Sequence, residues 1–497
     1  MIKMMQGQNK TQGTNQRMIV LEMLLTEQVY SHLLVRDVLY KYNYLTQQEK
    51  AFIKRLYEGT LERQIELDDV IDQYSNVKTG KMKKVIRVIL RMSVYQILYM
   101  DAVPDAAACN EAVKLAQKKG FASLKGFVNG VLRNIARNKG SLTYTSLSVK
   151  YSMPEWIVNM WTEQLGAENT ERVLAGLLEE HPMTIRFRPV HGLSDVSDIS
   201  LEAAVQAVQQ AITAQGGTMV QHPYLPCAYS MSGTDDITRL PYYHEGAFVV
   251  QDVSSMLAVM ALGMERYVGR MAMQATQKTV RVIDLCAAPG GKSMLAADIL
   301  EQCCASYSIS YSIVSRDLSA DKVARMLENF DRCGLRHMTA EIADATVEDE
   351  TLVGTADFVI ADVPCSGLGV IGKKRDIKYN ITQKAIEDIT VLQKRILAVA
   401  VRYLKPGGRL LFSTCTISQE ENERQFAWLQ DEFQLTPLSL DDALPACLHT
   451  ETTKNGYLQL LPGVHAADGF FMSVLCRQEN SSEEHNNGVQ SDGEQGI

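Results

Sequence analysis

The chain has 497 residues, 46% of them hydrophobic and 22% charged, with a formal net charge of −8. This is the composition of a folded globular protein too long for one ordinary core, and two to four domains are expected. No run of eighteen apolar residues suggests a membrane span, and the polar Met1–Arg17 segment lacks the apolar centre of a secretory signal. Ten cysteines without such a signal point to reduced thiols and a cytoplasmic location. None lies in a Cys-x-x-Cys pair, so no metal site is expected.

The first 140 residues read as helix. Apolar residues recur at a spacing near 3.6 around Met18–Leu25, Gln48–Thr60, Met82–Met100, Ala106–Lys119 and Gly126–Asn138. Pro104 or Asp105 marks one start and Gly120 one stop. Between Lys78 and Lys139 there are 13 Lys and Arg against three Asp and Glu, so a basic module sits on an otherwise acidic chain. Lys81, Lys83, Lys84, Arg87 and Arg91 cluster, followed by Lys118, Lys119, Lys125, Arg133 and Arg137. A local basic face binds phosphate backbones whatever the global charge. Leu90–Tyr99, Asn110–Val113 and Phe127–Arg133 together resemble the helical RNA-binding module of the NusB family.

A connector follows. Ser152-Met153-Pro154-Glu155 reads as a capping box opening a helix through Trp156, Ile157, Met160, Trp161 and Leu165. Thr184–Pro189 alternates as a strand does, which puts Ile185 and Phe187 on one face. Arg186 and Arg188 fall on the other, facing either RNA backbone or solvent. A further helix begins near Ser254.

From residue 280 strand and helix alternate, predicting a parallel, doubly wound sheet. Arg281–Cys286 is the first strand, Ala287–Lys292 a tight loop and Ser293–Glu301 a helix. Glycines there let backbone approach a ligand, and the helix start favours an anion. Gly291-Lys292-Ser293 falls short of a phosphate-cradling P-loop, because Cys286 stands where its first glycine belongs. The second strand ends at Asp317, placed to accept from a ribose diol, or else to cap the next helix. Asp344 ends the third, where it can accept from an adenine amino group. Together these suit an adenosine cofactor better than any one does alone. Two more strands, Phe358–Ala361 and Arg409–Phe412, are followed by Cys365 in Asp362–Gly367 and by Cys415 in Ser413–Thr416. Ligands of open α/β sheets bind outside the carboxyl ends of the strands, so both thiols should face one pocket.

The segments Asp284–Lys292, Asp362–Gly367, Asp376–Lys378, Ser413–Cys415, Glu420–Glu423 and Asp468–Phe471 resemble the Sun (Fmu) family of RNA cytosine C5-methyltransferases. The resemblance implies S-adenosylmethionine as cofactor. Its contacts carry over to Cys286, Ala287, Ala288, Pro289, Gly290, Gly291, Lys292, Asp317, Asp344 and Asp362. It also implies 16S ribosomal RNA, unassembled or in an early assembly intermediate, as substrate of a monomeric enzyme. The nucleophile role falls to Cys415 and the release role to Cys365, with Asp362 assisting as a proton donor near N3, either protonated or through a water. DNA cytosine methyltransferases use their Pro-Cys thiol instead, so the exchanged roles stay open. Arg375, Tyr379 and Val363 depart from the family pattern, which bears on loop stiffness, base stacking and target preference. The expected organisation is an all-α NusB-like bundle over 1–145, an α+β connector over 146–240, a Rossmann-like α/β methyltransferase domain over 241–478, and an acidic tail over 479–497. An RNA-binding assembly or antitermination factor with a non-catalytic scaffold is the alternative. Two cysteines acting only as small buried hydrophobes would not account for polar, Gly- and Ser-containing strand ends.

Overall fold

The computed structural model describes residues 15–26, 31–189, 200–234, 236–274 and 279–478. The expected acidic tail, 479–497, and residues 1–14 lie outside them. The chain divides into two compact units: Met1–Leu178 with Ile371–Asn380, and Glu179–Val370 with Ile381–Ile497.

The first unit is helical. Gln16–Leu25, Ser31–Lys41, Gln47–Glu62, Gln64–Tyr74, Lys84–Tyr99, Asp105–Lys118 and Lys125–Asn138 follow one another. The expected starts and stops hold within a residue or two, with Pro104 before Asp105 and Gly120 in a left-handed conformation past the sixth helix. Helix Lys84–Tyr99 is the core element: Ile86, Ile89, Leu90, Met92, Val94 and Ile97 are all buried. Full burial of a residue such as Leu90 is worth roughly 1.5–3 kcal/mol. Lys81, Lys83, Lys84, Lys118, Lys125, Arg133 and Arg137 are exposed, in keeping with a basic face. Arg91 is not part of that face. Its Nε and Nη2 hold both oxygens of Asp68 at 2.6 and 2.5 Å.

Ser152 differs from expectation as well. The helix it precedes, Glu155–Leu165, starts after Pro154 with no side-chain cap. Ser152 Oγ instead accepts from the backbone N–H of Ile65 at 2.9 Å, capping helix Gln64–Tyr74 from a distance in sequence. The Ile371–Asn380 segment completes this unit. Arg375 pairs with Glu58 and Glu62, and Lys378 Nζ and Tyr379 Oη donate to the Glu62 carbonyl at 2.7 and 3.1 Å. Two of the three departures therefore pack against a helix terminus, where effects on loop stiffness and base stacking had been expected.

The second unit carries two sheets. Strands β1 (Met183–Phe187), β2 (Thr218–Gln221), β3 (Ala228–Ser232) and β4 (Phe248–Val250) form an antiparallel sheet in the order β2-β3-β1-β4. Helix Leu201–Ala214 contributes Ala204, Val208 and Ile212 to the same core. Arg186 and Arg188 face neither RNA nor solvent. Both are buried and share Asp298, Arg186 Nη1 at 2.6 Å and Arg188 through two bonds of 2.8 and 3.0 Å.

The larger sheet holds β5 (Thr279–Asp284), β6 (Ser310–Asp317), β7 (Met338–Ile342), β8 (Ala356–Asp362), β9 (Leu404–Thr414), β10 (Thr436–Pro437), β11 (Tyr457–Leu460) and β12 (Phe470–Cys476). Its order is β10-β12-β9-β8-β5-β6-β7, with β11 on β12. Strands β5 to β9 are parallel, as expected, and β10 to β12 add an antiparallel edge. Val282, Ile283, Phe358, Val359 and Ile360 are fully buried because both faces of the parallel strands are covered. The chain order reverses on either side of β5, which makes the β5/β8 gap a ligand-binding crevice. No helix among the described residues is long and apolar enough to cross a membrane.

Candidate active site

The loop from β5 into helix Gly291–Ala305 is fixed at both ends. Ala287 N–H donates to the Arg316 carbonyl at 2.8 Å, and Gly290 N–H turns back to the Ala287 carbonyl at 2.7 Å. Gly290 is left-handed at φ 99°, and a Cβ there would stand 2.9 Å from the Phe330 ring. Beneath the loop, Ser315 Oγ donates to Ser293 Oγ at 2.9 Å and Ser293 Oγ to Asp284 at 2.6 Å. Burial pushes the Asp284 carboxyl up to about 7 and raises the Cys286 thiol well above its ordinary value.

Parallel register brings the ends of β5, β6 and β7 to one edge. Asp317, almost wholly buried, accepts from Ser319 N–H at 3.2 Å and from Lys322 Nζ at 3.4 Å. Asp344 is exposed. Its Oδ1 accepts from the Thr346 backbone and hydroxyl at 2.8 and 2.7 Å, contacts that lower its pKa. The apolar side chains of Leu318 and Ile342 lie beside these acids, 71% and 62% exposed. Two acceptors, exposed apolar neighbours and a close-approach loop fit the adenosine end of S-adenosylmethionine. Leu318, directly after Asp317, and Ile342, two residues before Asp344, were not singled out from the sequence.

At the ends of β8 and β9 the two cysteines meet, with their sulfur atoms 3.2 Å apart. Asp362 lies beside them. It accepts from Ser413 Oγ at 2.8 Å and from Lys292 Nζ at 2.6 Å. The Lys292 ammonium also lies 5.3 Å from the centre of the Phe470 ring. From the sequence the proton-donor role near N3 falls to Asp362, protonated or through a water, with no ion-pair partner named. In the structure Asp362 has an ion-pair partner in Lys292, the second residue of helix Gly291–Ala305. Cys365 is held well above its ordinary pKa, first by its contact with Cys415 and then by burial. Gly369 N–H donates to the Cys415 carbonyl at 3.1 Å, and Gly469 N–H to the Gly369 carbonyl at 2.9 Å. A Cβ on Gly369 would collide with the Gly469 backbone at 2.0 Å, so neither glycine has room for a side chain. Val363, the third departure from the family pattern, is buried and its N–H donates to the Ser413 carbonyl at 3.1 Å.

A family model described as 16S rRNA methyltransferase RsmB/F matches residues 271–476, and the NusB family model matches residues 15–137. The chain is 32% identical to the probable ribosomal RNA small subunit methyltransferase B of Bacillus subtilis (strain 168), over 94% of this chain and 99% of that protein. The chain belongs to the ribosomal RNA small subunit methyltransferase B family. A second relative of the same description, from Synechocystis, is 29% identical over 87% of this chain and 92% of its own length. The solved structure of PH0851 shares the fold, with a TM-score of 0.70 at 22% identity over 93% of this chain and 98% of that one.

Proposed function

We propose that this family member methylates C5 of a cytosine in 16S ribosomal RNA, with Cys415 as nucleophile and Cys365 assisting release. The observation that carries this reading is the 3.2 Å approach of two sulfurs at neighbouring strand ends, beside the Lys292–Asp362 pair. S-adenosylmethionine, when bound, supplies an electrophilic methyl group, and residues 286–292, Asp317, Asp344 and Asp362 would hold it.

Cytosine C5 is a poor nucleophile until a thiolate adds at C6. Adding Cys415 Sγ at C6 places an electron pair on C5, and a proton delivered at N3 from the Lys292–Asp362 pair favours that addition. Once the methyl is on C5, a base removes the C5 proton, the C5–C6 double bond re-forms and the sulfur leaves. Contact with Cys415 and burial hold the Cys365 thiol above its ordinary pKa, and the assignment of nucleophile and release roles rests on the family resemblance of the two strand-end motifs. The target ring must leave any stack to reach Cys415.

The exposed lysines and arginines of the helical module would hold the RNA backbone. A monomer working in the cytoplasm on unassembled RNA or an early particle, and the division at residues 145, 240 and 478, belong to the same proposal.

A denaturing gel of each cysteine variant incubated with RNA and S-adenosylmethionine tests the roles. Cys365→Ala should accumulate a slow-migrating protein–RNA band and Cys415→Ala none. The opposite pattern would exchange the roles, and no band in either would favour a non-catalytic scaffold.

A further inference from the structure

Glu421 and Asn422 stand just before helix Glu423–Phe433, and both are completely buried. Each holds one of the two cysteine-bearing segments. Glu421 Oε2 accepts from the Ser366 N–H at 2.7 Å and Oε1 from the Ser366 hydroxyl at 2.5 Å. Ser366 directly follows Cys365. Asn422 Oδ1 accepts from the Thr414 hydroxyl at 2.5 Å, while its Nδ2 donates to the Thr416 carbonyl at 3.1 Å and to Gln459 Oε1 at 2.8 Å. Thr414 and Thr416 bracket Cys415. The two segments are also joined directly, Ser366 Oγ to Thr416 Oγ1 at 2.6 Å. With Ser366 donating to Glu421, the chain of hydroxyls runs from Thr416 through Ser366 to the carboxylate.

A helix start needs no buried carboxylate, since an exposed Ser or Asp caps it at lower cost. Glu421 carries that cost while bonding the residue next to one thiol, and its chain neighbour grips both sides of the other. We propose that Glu421 and Asn422 are positioning residues that set the separation of the Cys365 and Cys415 sulfurs. Two adjacent residues on one rigid turn act as a gauge, because any slip of one segment relative to the other must break a bond to the same stretch of backbone. For catalysis this rests on the proposed function, while the geometric part stands by itself.

Phenylarsine oxide reads the geometry without RNA. It condenses with two thiols held near contact, forming two As–S bonds while the arsenic oxygen leaves as water with both thiol protons. A Cys303→Ser background removes the adjacent Cys303–Cys304 pair as a competitor. In that background the full-length protein should retain the arsenical, and Cys365→Ser should abolish retention. Glu421→Ala and Asn422→Asp should each weaken retention by about tenfold or more. The aspartate is isosteric yet turns a donor to the Thr416 carbonyl into an acceptor. Glu421→Gln keeps an acceptor for the Ser366 N–H and a partner for its hydroxyl, and should stay within about threefold of the parent.

Calorimetry with S-adenosylmethionine should be unchanged throughout, and methyl transfer should lose turnover while the KM for RNA holds. Equal arsenical affinity in parent, Glu421→Ala and Asn422→Asp would overturn the proposal. So would a parent with no Cys365-dependent retention, or cofactor affinity lost in step with retention, which would assign the pair to folding. The expected arsenical pattern in a protein that methylates no cytosine would leave the gauge standing and remove the proposed function.

Discussion

Lys292 Nζ lies 2.6 Å from Asp362 Oδ2, so the second residue of helix Gly291–Ala305 forms an ion pair with the residue that opens the Cys365 segment. Lys292 is about nine-tenths buried and Asp362 about two-thirds, so solvent screens the pair only in part. The pair joins the start of that helix to the thiol-bearing segment, and in the proposed mechanism it supplies the proton that reaches N3 of the base. Lys292→Met should therefore reduce single-turnover methyl transfer by about two to four orders of magnitude, the usual worth of a positioned acid. The check is rapid-quench transfer of labelled methyl at saturating RNA and cofactor. A loss below about threefold would remove Lys292 from proton delivery.

Asp317→Ala should weaken S-adenosylmethionine by about one to two orders of magnitude, because a carboxylate hydrogen bond to a diol is worth roughly 1.5–3 kcal/mol. Asp344→Ala should do less, since Asp344 is exposed and its contacts compete with water, whereas Asp317 is almost wholly buried. Isothermal calorimetry on both variants distinguishes the two acids, and unchanged affinity for Asp317→Ala would sink its assignment.

Stability should fall with rising pH through the range in which Asp284 ionises. Its folded-state pKa of about 7 lies above the ordinary value of 3.8, so the folded protein binds the extra proton. The associated stability is complete below the ordinary value and is lost as pH climbs through about 7. The slope from this group can approach, as a limit, about 1.4 kcal/mol per pH unit. Asp284→Asn keeps an acceptor for Ser293 and should flatten the slope. Thermal midpoints of the two proteins compared from pH 5.5 to 8 would show the variant gaining on the parent. A constant gap would rule the effect out.

RNA affinity should depend steeply on salt through the helical module. Replacing Lys81, Lys83, Lys84, Lys118 and Lys125 with Gln should reduce the slope of log affinity against log salt by about 0.7–0.9 for each phosphate no longer neutralised. Cofactor binding should be untouched. Filter binding between low and physiological salt gives both slopes, and equal slopes would place the RNA-binding surface elsewhere on the chain. Arg91→Gln is a useful contrast. It should cost stability, because the Asp68 pair is broken, and leave the slope alone.

Features that depend on local spacing were legible in the sequence. The helical periodicity, the parallel strands, the loop before Gly291 and the two thiols at strand ends all follow from residues close together in the chain. Features that depend on a distant partner were not. Alternation puts Arg186 and Arg188 on one face of β1, but nothing nearby says that Asp298 waits on a helix 110 residues later. Ser152 looks like a cap for the helix that follows it, and the free N–H groups it satisfies belong to Ile65 and Glu66. The Lys292–Asp362 pair was hidden for the same reason, 70 residues apart. Asp468–Phe471 could be matched as a motif, but its physical sense appears only once Gly469 is seen against Gly369 and Phe470 beneath Lys292.

The helical unit closes only with Ile371–Asn380, although its own run of chain ends at Leu178. During synthesis the Glu62 end of its helix lacks Arg375, Lys378 and Tyr379 until the ribosome has made more than half of the second unit. The last pieces of the first unit and the Cys365 segment emerge almost together. A nascent chain that ends before Ile371 carries neither the residues that cover that helix end nor Cys415, so the last contacts of the first unit and the meeting of the two sulfurs both depend on chain made late.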